Sequence, residues 1–150
     1  MTANQLDRRQ LLKGLGAGAL AAGAAATLGS TAALAGGGKP AIVGSWKIVI
    51  HQGKRTTDAI TNFTPDGLMF NIDAGSPSTG LGVWQNRGGG KFVFAFITYD
   101  LSKGAPGIQV HVSGKGTAVA GSVKGTFKVE VGPNDTPAGS GTFDGEPLTI

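Results

Sequence analysis

The sequence predicts an all-β domain, an eight-stranded antiparallel up-and-down β-barrel, and three observations carry that reading. From Ile42 onward no stretch of ten residues shows the apolar period of a helix. Turn-forming Gly, Pro, Asn and Asp recur about every eight to twelve residues and bound runs rich in β-branched and aromatic side chains. Eight such runs follow one another through short connections, which suit hairpins and exclude the long crossovers of parallel strands. Eight is also the number at which a meander closes around packed side chains or one small ligand.

The first run, 43–51, alternates Trp46, Ile48 and Ile50 with Ser45, Lys47 and Val49 and stops at Gln52-Gly53-Lys54. The second, 57–64, reaches the third, 68–73, through Thr64-Pro65-Asp66-Gly67. That is a hairpin turn with a mechanism: Pro65 presets φ, Asp66 can bond its own backbone, and Gly67 takes a positive φ. A small-residue loop, 74–79, leads to the fourth run, 80–87; Gly88-Gly89-Gly90 then turns the chain into the fifth, 91–99. The sixth spans 108–114, the seventh 122–131 and the eighth 139–149. Gly114-Lys115-Gly116-Thr117 and Gly139-Ser140-Gly141-Thr142 read as turn-and-strand glycines, since bent barrel strands use Gly to relieve crowding.

The first 35 residues read differently. Asp7-Arg8-Arg9-Gln10-Leu11-Leu12-Lys13 precedes a weakly apolar Ala/Gly stretch, 14–29, and then Ala33-Leu34-Ala35. This order of basic region, apolar region and small-residue cleavage site resembles a twin-arginine export signal, with Asp7 where such signals usually carry Ser or Thr. The resemblance implies a signal peptide over 1–35 recognised through Arg8 and Arg9, a flexible leader over 36–41, a barrel domain over 42–150, and a location in the periplasm or outside the cell. Only Leu15, Leu20 and Leu28 are large aliphatics in 14–29, too few and too short a run for a bilayer of about 30 Å; an uncleaved membrane-anchored tail is the alternative to cleavage.

Charge and cysteine count narrow the partners. The chain carries a formal net charge of +4. Three of its 13 basic and one of its nine acidic residues lie in the export segment, which leaves ten against eight, a net of +2. No Lys/Arg cluster of the nucleic-acid kind is present in the sequence, so no nucleic-acid partner is expected. The absence of cysteine removes a lipoprotein anchor, disulfides, thiolate metal sites and a cysteine nucleophile together.

Alternation assigns faces. Phe92, Phe94 and Phe96 share one side of the fifth run, and Val93, Ala95 and Ile97 the other, so both faces are apolar. One face fills the barrel; the other calls for a cover, either the leader, a long basic side chain or a second subunit in a homodimer. Trp84 sits with Gly82 deep in the fourth run, a position suited to lining a cup together with the three phenylalanines. Polar residues at inward-capable positions, Asn62, Asn71, Gln85, Tyr99 and Gln109, are the candidates to orient a ligand. A slip of one residue would exchange every member of that set.

Gly44-Ser45-Trp46 at the opening of an eight-run meander is similar to the Gly-x-Trp of lipocalins, and Gly80-Leu81-Gly82-Val83-Trp84 with the Phe-rich 92–96 looks like the exported lipocalin-like or allene-oxide-cyclase-like small barrels of bacteria. The resemblance covers most of 43–149. It implies that Gly44 and Trp46 form the barrel floor and that a basic side chain, Arg55 or Arg87, lies across the indole. The helix that lipocalins place after the barrel is missing, which favours a stripped-down calycin-type barrel.

Catalytic patterns are sparse. His51 and His111 fall opposite the main apolar face, and no ligand spacing joins them to Asp73 or Asp100 as a zinc site would need. No serine stands in a Gly-x-Ser-x-Gly elbow, and Gly88-Gly89-Gly90 precedes a strand rather than the helix of a phosphate cradle. No metal, cofactor or catalytic residue is therefore expected. Three functions remain open: a module that binds a small apolar molecule inside the barrel, a cofactor-free cyclase or isomerase working by shape and water exclusion, and a structural or self-associating envelope protein with a solid core.

Overall fold

The computed structural model describes residues 39–149 apart from Pro77, Lys103, Ala105 and Pro106; the expected export signal, with Arg8 and Arg9, lies outside the described residues. The barrel unit contains eight strands, β1 (Gly44–Gln52), β2 (Arg55–Phe63), β3 (Leu68–Asp73), β4 (Thr79–Gly88), β5 (Lys91–Asp100), β6 (Ile108–Val119), β7 (Ser122–Val131) and β8 (Thr136–Pro147). Each pairs antiparallel with its neighbour in sequence, and β1 also pairs with β8, so the sheet closes and keeps no free edge. No helix occurs among the described residues.

The Thr64–Gly67 turn forms as its residues require. Gly67 takes φ +90° and its N–H reaches the Thr64 carbonyl at 3.2 Å, while the Thr64 hydroxyl bonds the Asp66 carboxylate. Gly90, with φ +75°, does the same service between β4 and β5; a Cβ there would press into the Ala118 carbonyl of the neighbouring hairpin.

Two strands run longer than their sequence suggests. β6 continues through Gly114 and Gly116 to Val119, and β8 begins at Thr136. Those glycines are not punctuation. Gly116 stands opposite Phe92 and Gly114 opposite Phe94 across the β5–β6 pair, and Gly125 and Gly141 stand opposite Phe143 and Phe127 across β7–β8. A Cβ at Gly114 or Gly116 would lie 2.6 Å from the ring tip of its phenylalanine. Inward glycines thus make room for the ring on the next strand, and the ring covers the bare backbone.

The interior has two halves. At the end where β1 begins, Trp46, Phe63, Met69, Trp84, Phe92, Ala118 and Val123 are buried in one cluster. The residues just before β1 close that end: Ile42 and Val43 are buried, and the Trp46 indole N–H donates to the Ile42 carbonyl at 2.7 Å. Trp46 is therefore a floor residue. Arg55, one candidate to lie across it, sits at the opposite end of the barrel, beside Gln52 in the β1–β2 register. Arg87 lies in the exposed final turn of β4, beside Lys91 and Lys115.

The outer wall of β2 to β5 stays apolar. Ile60 faces Ile72, Phe70 faces Leu81, Leu68 faces Val83, and Leu81 and Val83 face Ile97 and Ala95.

Candidate functional site

Above the floor the core opens into a cavity of about 300 Å³ that reaches solvent at the other end, where the β1–β2, β3–β4, β5–β6 and β7–β8 connections lie. Its walls come from alternate residues of the strands: Ile48 and Ile50 of β1, Phe94 and Phe96 of β5, Val112 of β6, Phe127 and Val129 of β7, and Phe143 of β8. The aromatic rings form a continuous series from floor to cup. Trp84 meets Phe63 edge-on at 6.0 Å, Phe63 meets Phe92 at 5.5 Å, and higher up Phe94 meets Phe143 at 5.7 Å and stacks on Phe96 at 6.3 Å. Such edge and offset contacts add to area burial and hold the walls in place.

One wall is polar. Thr61 of β2 and Asn71 of β3 are register partners, both buried at 4% and 5% exposure. The Thr61 hydroxyl donates to Asn71 Oδ1 at 2.6 Å, and Asn71 Nδ2 donates to Asp73 Oδ1 at 2.7 Å. Asp73, Arg55, Gln52 and Thr57 continue this wall to the mouth. The pair satisfies itself in the apo barrel, so burial carries no unpaired penalty.

Of the residues expected to line the interior, Phe94, Phe96 and Asn71 do so. Trp84 and Phe92 belong to the floor instead: Trp84 is 6% exposed and its indole N–H donates to the Thr64 carbonyl at 2.9 Å, bracing the β2–β3 hairpin. β4 enters the barrel from the open end, so its last residues reach the closed one. Asn62, Gln85, Tyr99 and Gln109 lie on the outer face. Asn62 donates to Ser45 at 2.8 Å and Gln109 bonds His111 at 2.7 Å. The cause is parity: each is one residue from an inward position, and neighbouring residues of a strand point to opposite faces.

Thr61, Asp73, Arg55 and Gln52 were legible only through the same parity. With Phe63 fixed inward, Ala59 and Thr61 follow it, and Thr61 rather than Asn62 becomes the polar group of β2. Both histidines are outside the cavity. His51 Nε2 lies 2.8 Å from Asp144 Oδ1 on the outer wall. His111 Nδ1 donates to Asp135 and its Nε2 accepts from Gln109, one tautomer serving both bonds. Among the described residues no three His, Cys, Asp or Glu converge on a metal position.

The class defined by this geometry is a closed eight-stranded antiparallel barrel, solid at one end and hollow at the other, the architecture to which a lipocalin-like reading points. No family model, curated protein or solved structure matches the chain.

Proposed function

We propose that this chain is an exported barrel that binds a small, mainly apolar molecule in its open half. The observation that carries this is the one-ended cavity of about 300 Å³, walled mainly by phenylalanine and aliphatic side chains, with a polar strip on β2 and β3 and further polar groups such as Thr98 on β5. That volume and composition are those of small-ligand pockets. Glycines on β4, β6, β7 and β8 make room for rings and aliphatic side chains of neighbouring strands, which keeps these groups in the wall of the cavity. The twin-arginine resemblance and the calycin-type kinship suggested by Gly44-Ser45-Trp46 belong to the same proposal, with the twin-arginine machinery as the transport partner.

Two measurements test it. Native mass spectrometry of protein purified from its own envelope should show a retained small molecule. The apo protein should take up a neutral apolar fluorophore such as Nile red, and Val112→Trp, which fills the cup, should abolish uptake. Equal uptake by wild type and Val112→Trp would place the dye elsewhere and remove the support.

A second reading, self-association, stands beside the first because of the outer wall. Ile60, Leu68, Phe70, Ile72, Leu81 and Val83 each leave between 37% and 58% of their surface exposed. Six side chains of that size present on the order of 500 Å², so two copies meeting through this face would bury about 1,000 Å², the lower bound of a specific interface. A second copy of the chain is the occupant this area fits, and sedimentation is the test.

A further inference from the structure

Resting on the cavity reading above, we propose that the cup selects molecules that carry a hydroxyl on an apolar body, an alcohol or phenol, with Thr61 Oγ1 accepting the ligand proton. The argument follows the direction of the hydrogen bonds. A carboxylate only accepts, so Asp73 draws the NH₂ end of the Asn71 amide toward itself, with Asn71 Nδ2 donating to Asp73 Oδ1 at 2.7 Å. The amide then has its oxygen turned to Thr61, and the Thr61 hydroxyl must donate, as it does at 2.6 Å. Its one proton is committed. What Thr61 offers the cavity that it lines is a lone pair.

Asn71 keeps a second N–H beyond the one given to Asp73. A ligand hydroxyl can accept from that N–H while donating to Thr61. A ketone or ether can accept from that N–H but has no proton to give, so it leaves the Thr61 lone pair without a partner. A ligand carboxylate meets the same lone pair and the Asp73 charge. The rest of the wall carries Ile48, Phe94, Phe127 and Phe143, and of the other polar lining groups the Thr98 hydroxyl is already paired with that of Ser78 at 2.9 Å; a site built to pair a hydroxyl disfavours the analogue without it.

The test is a matched series binding to the full chain: naphthalene, 2-naphthol, 2-methoxynaphthalene and 2-naphthoate, each competing with Nile red. The expected result is 2-naphthol binding about tenfold more tightly than its methyl ether, the equivalent of one well-placed hydrogen bond. Thr61→Val should erase that ratio and leave naphthalene affinity within about twofold; Thr61→Ser, which keeps the hydroxyl, should preserve the ratio. Equal affinity for naphthol and its ether in the wild type overturns the proposal without any variant. So does a ratio that survives Thr61→Val, or tightest binding of the naphthoate, which would point to Arg55 at the mouth. Binding of naphthalene without alcohol preference leaves the cavity reading standing, whereas no binding by any member of the series defeats both.

Discussion

Single residues divide into those that close the barrel and those that shape the cup, and the two tryptophans belong to the first group. Each indole is buried and each N–H is spent on a backbone carbonyl, Trp46 on Ile42 and Trp84 on Thr64. Trp46→Ala and Trp84→Ala should each cost about 3–5 kcal/mol in urea unfolding, through lost burial and the cavity left behind. Nile red affinity of the folded fraction should stay near wild type for both. A Trp84→Ala protein of normal stability that loses the dye would return Trp84 to the cup, where its sequence position had suggested it. That suggestion rested on Trp84 lying deep in its run, but depth along a strand does not say which end of the barrel the strand has reached. Trp46 was legible because it opens the first strand, next to Ile42 and Val43, which close the floor.

At the scale of the strands, the pairing of inward glycine with inward ring organises β4 to β8. Gly125 illustrates it: a Cβ there would fall 2.6 Å from Phe143 Cε1 and 2.3 Å from the Lys115 carbonyl oxygen, and that backbone oxygen cannot yield without moving β6. Gly125→Ala should therefore cost about 1–3 kcal/mol by overpacking, read from the shift in the urea midpoint, whereas Ser140→Ala on the exposed outer face of β8 should change stability by less than about 0.5 kcal/mol. Equal effects would show that the glycines serve flexibility rather than space. The strands themselves were legible from alternation and turn residues. The ends of β6 and β8 were not, because glycine reads as a turn signal in one dimension and becomes a space-maker only beside a ring on another strand.

For the whole molecule the outer wall and the proposed export signal set the predictions. If two copies meet through β2 to β5, Ile72→Lys with Leu81→Lys places charge in the centre of the apolar face, since both residues are more than half exposed and point outward. Sedimentation velocity should show the wild type as a dimer and the double variant as a folded monomer that still binds Nile red; a monomeric wild type at micromolar concentration removes the interface. If residues 1–35 are the twin-arginine signal proposed above, replacing Arg8 and Arg9 together by Lys should leave a folded, uncleaved precursor in the cytoplasm, because that route reads the arginine pair. Processing after Ala35 in that variant, detected by mass and by fractionation, would exclude the route.

The amino-acid sequence by itself determined what local chemistry can specify: no helix among the described residues after Ile42, eight strands with short connections, a Pro-Asp-Gly hairpin, and an apolar face on each side of β5. These follow from backbone preferences and a two-residue period that each segment carries alone. Tertiary structure decided which face looks inward, which end is solid and which hollow, and that Thr61, not Asn62, meets Asn71 inside. Those outcomes depend on register between strands, fixed only when β1 closes on β8, and a shift of one residue would have exchanged the cup with the outer wall.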